Sequence, residues 1–466
     1  MRIVLIYPWY DTYLWIPPLG IGYISSYLKK YGQEVYIIEG CRDNLSPTQI
    51  LEKVKEINPD VVGISCLSPF FENAKKVAKL IKAENYKLVM GGVHPTFMPY
   101  TTLKETGADL VICGEGEIPW RELVLSNFEN PTSIKGVYDI NSFNEDPDKP
   151  ILADIVENLD EIPFPDWDEL KFEKYNKYAT FGQFAKDFPV ATILMSRGCN
   201  HACTFCANPD FYQHKIRYRS VENVIAELEY LKKRYGVKEF HLCDNNLIYD
   251  KNYTKEFCKA LKERNINLPW TCPNGVRADC LDYETAKLLK NAGCYFIAIG
   301  IESANPQILK NIRKGETIEQ ITKAIEIAHS VGLEVQGQFI LGLPGETKET
   351  MQQTLDYIIS SKIERALINI LQFFPGSQVW KDMRGEFKEG YEDATANLCT
   401  YASNDLTVEE IQKALPKAIL RFWLQPRVIW HTLKYIKIEQ IPMIIKRLIM
   451  YNVFSKAANK IFKKEK

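Results

Sequence analysis

The chain has 466 residues, of which 46% are hydrophobic and 25% are charged. This length exceeds that of one ordinary domain, and the composition is typical of a soluble globular protein with full hydrophobic cores. The formal net charge of −1 gives no argument for or against nucleic acid as a partner, and no uncharged stretch reaches the roughly 18 residues that span a bilayer.

The N-terminus predicts a first strand rather than a secretory signal, because its apolar run is already broken at Pro8. We therefore expect a cytoplasmic protein. In that compartment the twelve cysteines should be thiols or metal ligands rather than disulfides.

Residues 1–130 alternate β-type runs with helical patterns. Strands are predicted at Ile3–Tyr7, Glu34–Glu39, Asp60–Ser65, Lys87–Gly91 and Asp109–Cys113. Helices are predicted at Leu19–Lys30, Gln49–Ile57 and Ala74–Ala83. This alternation predicts an α/β domain with a doubly wound parallel sheet, whose ligands bind at the carboxyl ends of the strands.

Residues 131–188 are rich in proline and interrupt this rhythm, so we expect a connecting segment that packs across a domain interface. A second series occupies residues 189–385. Its six strands are predicted at Ala191–Met195, Glu239–Cys243, Pro269–Pro273, Tyr295–Ile301, Leu333–Leu341 and Ala366–Phe373. With helices between them, such as Val221–Arg234, Tyr283–Asn291 and Ile318–Val331, they predict a partial, TIM-like (β/α)6 barrel.

Three cysteines follow the first strand of this series, with the spacing C-x-x-x-C-x-x-C at Cys199, Cys203 and Cys206. Four protein ligands normally bind a [4Fe–4S] cluster, so three local thiolates leave one iron open. The alternatives are a structural zinc site completed by His201 or His214, or three unrelated core cysteines. A closed zinc site usually has a second ligand pair, and the sequence shows none here.

The cysteine motif and the strands after it resemble the radical S-adenosylmethionine (SAM) superfamily over roughly residues 190–375. The resemblance implies a [4Fe–4S] cluster on the three cysteines and SAM on its open iron. It also implies that Phe205 shields the cluster and contacts adenine. Further SAM contacts are expected at the ends of the second, fourth and fifth strands: Asp244, Glu302, Ser303, Gln338 and Gly342.

The first domain resembles the cobalamin-binding domains that precede many radical SAM domains. Small or apolar residues at the strand ends carry the match and are expected to contact the cofactor, namely Ser65, Leu67, Gly91 and Gly92. The loop after the first strand contains no His, so we expect cobalt to lack a histidine ligand on its lower face. His94 is expected to contact the nucleotide tail or to be structural. The alternative is a flavodoxin-like module that binds nothing or another nucleotide.

The C-terminal region, residues 386–466, is predicted to be helical and basic. Between Lys417 and Lys466 there are twelve Lys or Arg residues against Glu439 and Glu465, with apolar residues at helical spacing. Such helices lie at membrane interfaces. An ordinary helical cap packed on the barrel is an equal alternative. Nucleic acid has charge in its favour but no base-reading module.

The resemblance implies an enzyme that functionalises an unactivated carbon, in the first place by C-methylation, with an external electron donor of flavodoxin or ferredoxin type. A cobalamin-dependent oxidative cyclase is the second hypothesis, and a non-catalytic cobalamin sensor is a distant third. The tail favours a lipid or other membrane-associated substrate and peripheral membrane contact. The sequence identifies no catalytic acid or base.

Overall fold

The computed structural model describes residues 1–10, 16–143, 150–175, 185–384 and 405–435. They form two α/β units, a segment that connects them, and two C-terminal helices. None of the helices in these ranges is long and apolar enough to cross a membrane.

The first unit is built on six strands: β1 (Arg2–Tyr7), β2 (Glu34–Glu39), β3 (Val61–Ser65), β4 (Leu88–Gly91), β5 (Leu110–Ile112) and β6 (Val137–Tyr138). The sheet order is β2-β1-β3-β4-β5-β6. Strands β1 to β5 are parallel and β6 is antiparallel to β5. The helices are α1 (Leu19–Lys30), α2 (Gly40–Asp43), α3 (Pro47–Ile57), α4 (Phe71–Ala83), α5 (Val93–Phe97), α6 (Pro99–Thr106) and α7 (Glu117–Leu125).

Both faces of this sheet are buried, as the doubly wound prediction requires. Along β1, Ile3 and Leu5 pack into the core that contains α1 and α7. Val4 and Ile6 point the other way, into the core formed with α3 and α4. The alternation follows from the two-residue period of a strand. The predicted bounds of α1 and β2 are confirmed residue for residue.

The second unit contains β7 (Val190–Ile193), β8 (Ser196–Arg197), β9 (Arg217–Tyr218), β10 (Glu239–Leu242), β11 (Trp270–Val276), β12 (Cys294–Glu302), β13 (Glu334–Leu341) and β14 (Arg365–Ile370). Six of them form a parallel sheet in the order β14-β13-β12-β11-β10-β7, which confirms the six-unit prediction. Strands β8 and β9 form a separate antiparallel hairpin.

The helices of this unit follow the strands and cover the sheet: α8 (Asn208–Phe211), α9 (Val221–Tyr235), α10 (Lys251–Glu263), α11 (Tyr283–Asn291), α12 (Pro306–Asn311), α13 (Ile318–Ser330), α14 (Lys348–Ser360) and α15 (Gln378–Asp382). Two more complete the described chain, α16 (Val408–Trp423) and α17 (Pro426–Leu433). α16 begins with a capping box in which Thr407 and Glu410 bond each other's backbone N–H groups. The predicted tail beyond residue 435 lies outside the described residues.

The connecting segment contacts both units. The Trp167 indole donates a hydrogen bond to Glu227 of α9 at 3.0 Å, and Asp166 accepts one from Ser25 of α1 at 2.7 Å. Leu170 packs so closely on α1 that a Cβ added at Gly22 would lie 2.7 Å from its side chain. The segment therefore fixes α1 against α9 across the interface.

Candidate active site

A cavity of about 500 Å³ lies between the two sheets. Strand ends of the first unit line one side, including Ser65 and Gly91. Residues at the strand ends of the second unit line the other, including Thr192, Cys243 and Asn274. Since ligands of parallel α/β sheets bind at the carboxyl ends of strands, this cavity is the expected ligand site of both units at once.

All four small or apolar residues predicted as cobalamin contacts, Ser65, Leu67, Gly91 and Gly92, line this cavity. An added Cβ at Gly91 would meet no atom within 4 Å. A side chain there would thus enter the cavity rather than the protein. At Gly92 the requirement is different, because φ is +100° and a Cβ would lie 2.7 Å from the Cys66 carbonyl oxygen.

His94, the other predicted contact, does not line the cavity. Its ring is fully buried, stacks on Phe71 with 4.0 Å between ring centroids, and has Nδ1 3.2 Å from the Ser68 hydroxyl. Burial lowers the pKa of this imidazole to about 3. These surroundings make His94 a neutral part of the core beside the wall.

The last residue of β1, Tyr7, presents a phenol at the end of the strand. Tyr7 lines the cavity, and its hydroxyl is 3.1 Å from that of Tyr10. Burial raises the pKa of Tyr7 far above its ordinary value, so the phenol stays neutral. Residues 11–15 of the loop after β1 lie outside the described ranges.

The three cysteines lie on the loop between β8 and α8, and all are partly exposed. Cys206 N–H donates to the Cys203 carbonyl at 3.2 Å, and Thr204 N–H donates to the Ile312 carbonyl at 3.0 Å. The loop is thereby tied to the end of α12. Burial raises the pKa of the Cys206 thiol to about 12. Burial also raises the pKa of Cys203, against the lowering effect of the Lys314 ammonium.

Among the described residues, no three His, Cys, Asp or Glu side chains form a group fit to hold a metal ion. A cubane binds each thiolate through a different iron, so its three sulfurs need not converge on one point. Burial raises the pKa of Cys203 overall, although the nearby cations Lys314 and Arg277 lower it and so favour the thiolate.

A buried ion group borders this loop. Lys314 Nζ lies 3.1 Å from a Glu302 oxygen and 3.4 Å from a Glu316 oxygen. Although burial disfavours its charge, these two carboxylates raise the pKa of Lys314, whereas burial raises the pKa of Glu302. Glu302 also has a φ of +62°, and a Cβ on Gly300 would collide with the Glu302–Lys314 pair. Non-glycine residues in this strained region are typical of functional sites.

The remaining predicted SAM contacts have partners within the protein. Asp244 accepts hydrogen bonds from Ser196 N–H at 2.5 Å and the Ser196 hydroxyl at 2.6 Å, and burial raises its pKa to about 6. The Ser303 hydroxyl is 3.1 Å from that of Thr354. Asp244 thus supports the strand that leads into the cysteine loop.

Two of the predicted SAM contacts belong to the fifth strand of the sheet, since Gln338 lies in β13 and Gly342 directly follows it. Gln338 donates to the Pro273 carbonyl at 3.1 Å, and Gly342, with φ of +81°, faces Ile411 of α16. Phe205 is partly buried against the main core. None of these three lines the cavity between the sheets.

Four charged residues that the sequence analysis did not select join the two units. Arg197 of β8 bonds Glu117 at 2.8 Å and lies 3.4 Å from Glu115, and Arg217 of β9 bonds Glu115 at 2.5 Å. All four side chains are at most 10% exposed. Arg197 also lies over the Tyr23 ring, 4.8 Å from its centroid. Because Arg197 precedes Cys199 by two residues, the first unit holds the start of the cysteine loop.

Comparison with known proteins agrees with this geometry. The sequence model of the Radical SAM superfamily matches residues 193–358, and that of the B12 binding domain matches residues 12–124. An uncharacterized methyltransferase of Pyrococcus horikoshii is 33% identical over 433 residues, covering 89% of both chains. The chain belongs to the cobalamin-binding radical SAM enzymes. The cofactors of this radical SAM enzyme are a [4Fe–4S] cluster, SAM and cobalamin, and the sensor hypothesis is wrong.

Other relatives of this radical SAM enzyme carry out two kinds of reaction. A cytidylyl-2-hydroxyethylphosphonate methyltransferase of Streptomyces wedmorensis is 31% identical, covering 82% of this chain and 80% of the relative. An anaerobic magnesium-protoporphyrin IX monomethyl ester cyclase of Rubrivivax gelatinosus is also 31% identical, covering 76% and 65%. The fold matches the radical SAM methyltransferase TsrM of Kitasatospora setae, at 18% identity and a TM-score of 0.69, covering 82% and 77%.

Proposed function

We propose that this enzyme methylates an unactivated carbon of its substrate. The observation that carries the proposal is the cavity lined by strand ends of both sheets. A substrate in that cavity would lie between a cofactor held by the first unit and one held by the second. The methyltransferases of Pyrococcus horikoshii and Streptomyces wedmorensis support the choice of methylation.

The cofactor assignments are part of the proposal. Cys199, Cys203 and Cys206 hold the cluster. SAM is bound by Phe205, Asp244, Glu302, Ser303, Gln338 and Gly342, and cobalamin by Ser65, Leu67, Gly91 and Gly92, with the buried His94 in a structural role behind the cavity wall. We also propose the division into 1–130, 131–188, 189–385 and 386–466, with the first boundary moved beyond β6, because Val137–Tyr138 is the last strand of the first sheet.

When bound, the three cofactors supply one-electron cleavage of SAM and transfer of a methyl group. The protein's own part is to hold charge and to exclude water. The Lys314 ammonium and Glu302 carboxylate, 3.1 Å apart and buried, offer one charge of each sign to the carboxylate and amino group of SAM. In the cavity wall the phenol of Tyr7, kept neutral by burial, would present no charge of its own to a bound cobalamin.

A second candidate is oxidative cyclisation with the same cofactors, and the Rubrivivax cyclase supports it. Substrate hydrogen removal would be shared by both reactions. They differ in whether a methyl group then reaches the substrate.

Product analysis of the anaerobically reconstituted enzyme tests the proposal. Formation of 5′-deoxyadenosine together with S-adenosylhomocysteine would support methylation of an unactivated carbon. 5′-Deoxyadenosine alone would favour cyclisation. S-adenosylhomocysteine alone would mean methylation of a carbon that needs no hydrogen abstraction, which contradicts the proposal in that part. Neither product, with a reduced cluster present, would contradict it entirely.

We propose that a flavodoxin- or ferredoxin-type protein of the cytoplasm supplies the electrons. The substrate is a small molecule, and we favour a lipid or other membrane-associated compound. The support for this class is the exposed apolar surface of α16 and α17 together with the basic residues around it.

A further inference from the structure

The helices α16 and α17 carry an apolar surface that the barrel does not cover. Its members are large hydrophobic residues with exposed fractions from 39% to 70%: Leu420, Trp423, Leu424, Ile429, Trp430 and Leu433. We call them the α16–α17 face. Eight other large hydrophobic residues of the described ranges are similarly exposed, but they are scattered from Trp9 to Val408. Contiguous exposed apolar patches mark interaction sites, whereas scattered ones do not.

Helical spacing places these residues on one side. Leu420, Trp423 and Leu424 are related by three and four residues, as are Ile429, Trp430 and Leu433, so each trio forms a stripe. The opposite side is buried, with Phe422 and Val428 fully covered. The hypothesis that the C-terminal helices form a cap packed on the barrel therefore describes their inner side. It leaves the α16–α17 face uncovered by the described residues.

The charges that this part of the chain itself places around the face are positive, and acidic residues of the barrel such as Asp356 and Glu334 offset some of them. From Ile411 to Ile438 the sequence contains no Asp or Glu, and Lys417 and Lys434 are exposed beside the face. Arg421 bonds Asp356 at 2.9 Å yet remains 55% exposed. Residues 436–466 add eight Lys or Arg against two Glu, a formal excess of six positive charges. A second copy of this chain would bring the same positive charges to the contact, so self-association is disfavoured.

We propose that the α16–α17 face docks on an anionic lipid surface. Burial of the apolar stripes among lipid chains removes them from water, and the surrounding cations attract acidic headgroups. Trp423 and Trp430 have the amphipathic rings that are enriched at the headgroup level. The docking requires no catalysis, so it stands or falls independently of the methylation proposed above.

Vesicle co-sedimentation of the full-length protein tests this proposal. We expect the protein to sediment with vesicles of phosphatidylglycerol and phosphatidylcholine, and less with phosphatidylcholine alone. The triple variant Leu424→Ser, Trp430→Ser, Leu433→Ser should lose binding by about tenfold or more. The matched control is Leu125→Ser, Ile140→Ser, Ile151→Ser, which removes three other exposed hydrophobic residues, 44% to 66% exposed, and should bind as wild type does.

Two further measurements distinguish loss of lipid binding from misfolding of the variant and from self-association. Thermal melts identify a misfolded triple variant, in which case Lys417→Glu with Lys434→Glu replaces it and should abolish the preference for anionic vesicles. Analytical ultracentrifugation reports the oligomeric state. Equal binding by wild type and variant, absence of vesicle binding, or a wild-type dimer that the triple substitution dissociates without any vesicle binding would each overturn the proposal.

Discussion

The ion group between the two units predicts a specific loss of stability. Glu117→Gln preserves the shape of the side chain and removes the charge that faces Arg197 at 2.8 Å. The amide oxygen can still accept a hydrogen bond, so the change reports mainly on charge. Glu115, 3.4 Å from Arg197, remains as a partial counter-charge.

The expected magnitude follows from these distances. At an effective dielectric constant of about 20, an ion pair at 2.8 Å has about 6 kcal/mol of attraction before desolvation. Removing one member of a buried pair costs about 3 to 5 kcal/mol net. Since Glu115 and the Tyr23 ring still face Arg197, we expect Glu117→Gln to lower the free energy of unfolding by about 2 to 3 kcal/mol.

Urea titration followed by circular dichroism measures this loss, and Glu122→Gln is the matched control. Glu122 lies on the same helix and pairs with Arg121 at 2.5 Å, but its side chain is 43% exposed. Exposed pairs contribute at most about 1 kcal/mol. If Glu117→Gln costs no more than Glu122→Gln, the inference that this group holds the two units together is refuted.

Three further predictions concern the site and its pH response. Gly91→Val should leave the thermal midpoint unchanged and lower cobalamin retention, measured by visible absorbance, about tenfold, because the side chain would enter the open cavity; full retention would contradict this. Cys203→Ser should abolish bound iron and the visible absorbance of the cluster, whereas Cys280→Ser, another partly exposed cysteine, should retain both; iron loss in neither variant would contradict the cluster assignment. Burial raises the pKa of Glu39 from 4.5 to about 7, so the stability that its protonated form contributes is complete below about pH 4.5 and is lost as the pH rises through 7. The free energy of unfolding of wild type should therefore fall by about 3 kcal/mol relative to that of Glu39→Gln over this interval. Urea midpoints of the two proteins that stay parallel with pH would contradict this prediction.

The regular elements were predictable because their signals are local. The helix Leu19–Lys30 and the strand Glu34–Glu39 were predicted with their observed bounds, since burial period and flanking polar residues agree there. Strand β6 was missed because two residues, Val137 and Tyr138, carry no periodicity. It pairs with β5 only once the chain has folded, and it lies in a proline-rich segment that the sequence predicts to be a connection.

The candidate site was predictable in part for the same reason. The cysteine loop and the glycines at the strand ends are local patterns, and the structure places Gly91 in the cavity wall. Contacts between distant positions were not predictable. Arg197 and Glu117 are 80 residues apart in sequence, and nothing in either neighbourhood identifies the other. Asp244 could be placed at a strand end, but its bonds to Ser196 depend on the packing of β7 against β10.

The position of Arg197 also restricts how such enzymes can exchange parts. A recombinant that joins this radical SAM domain to the cobalamin domain of another enzyme would leave Arg197 and Arg217 buried at the junction. Only a donor domain with carboxylates equivalent to Glu115 and Glu117 would neutralise them. Successful domain shuffling among these enzymes should therefore preserve an acidic pair after the fifth strand together with the arginines that flank the cysteine loop.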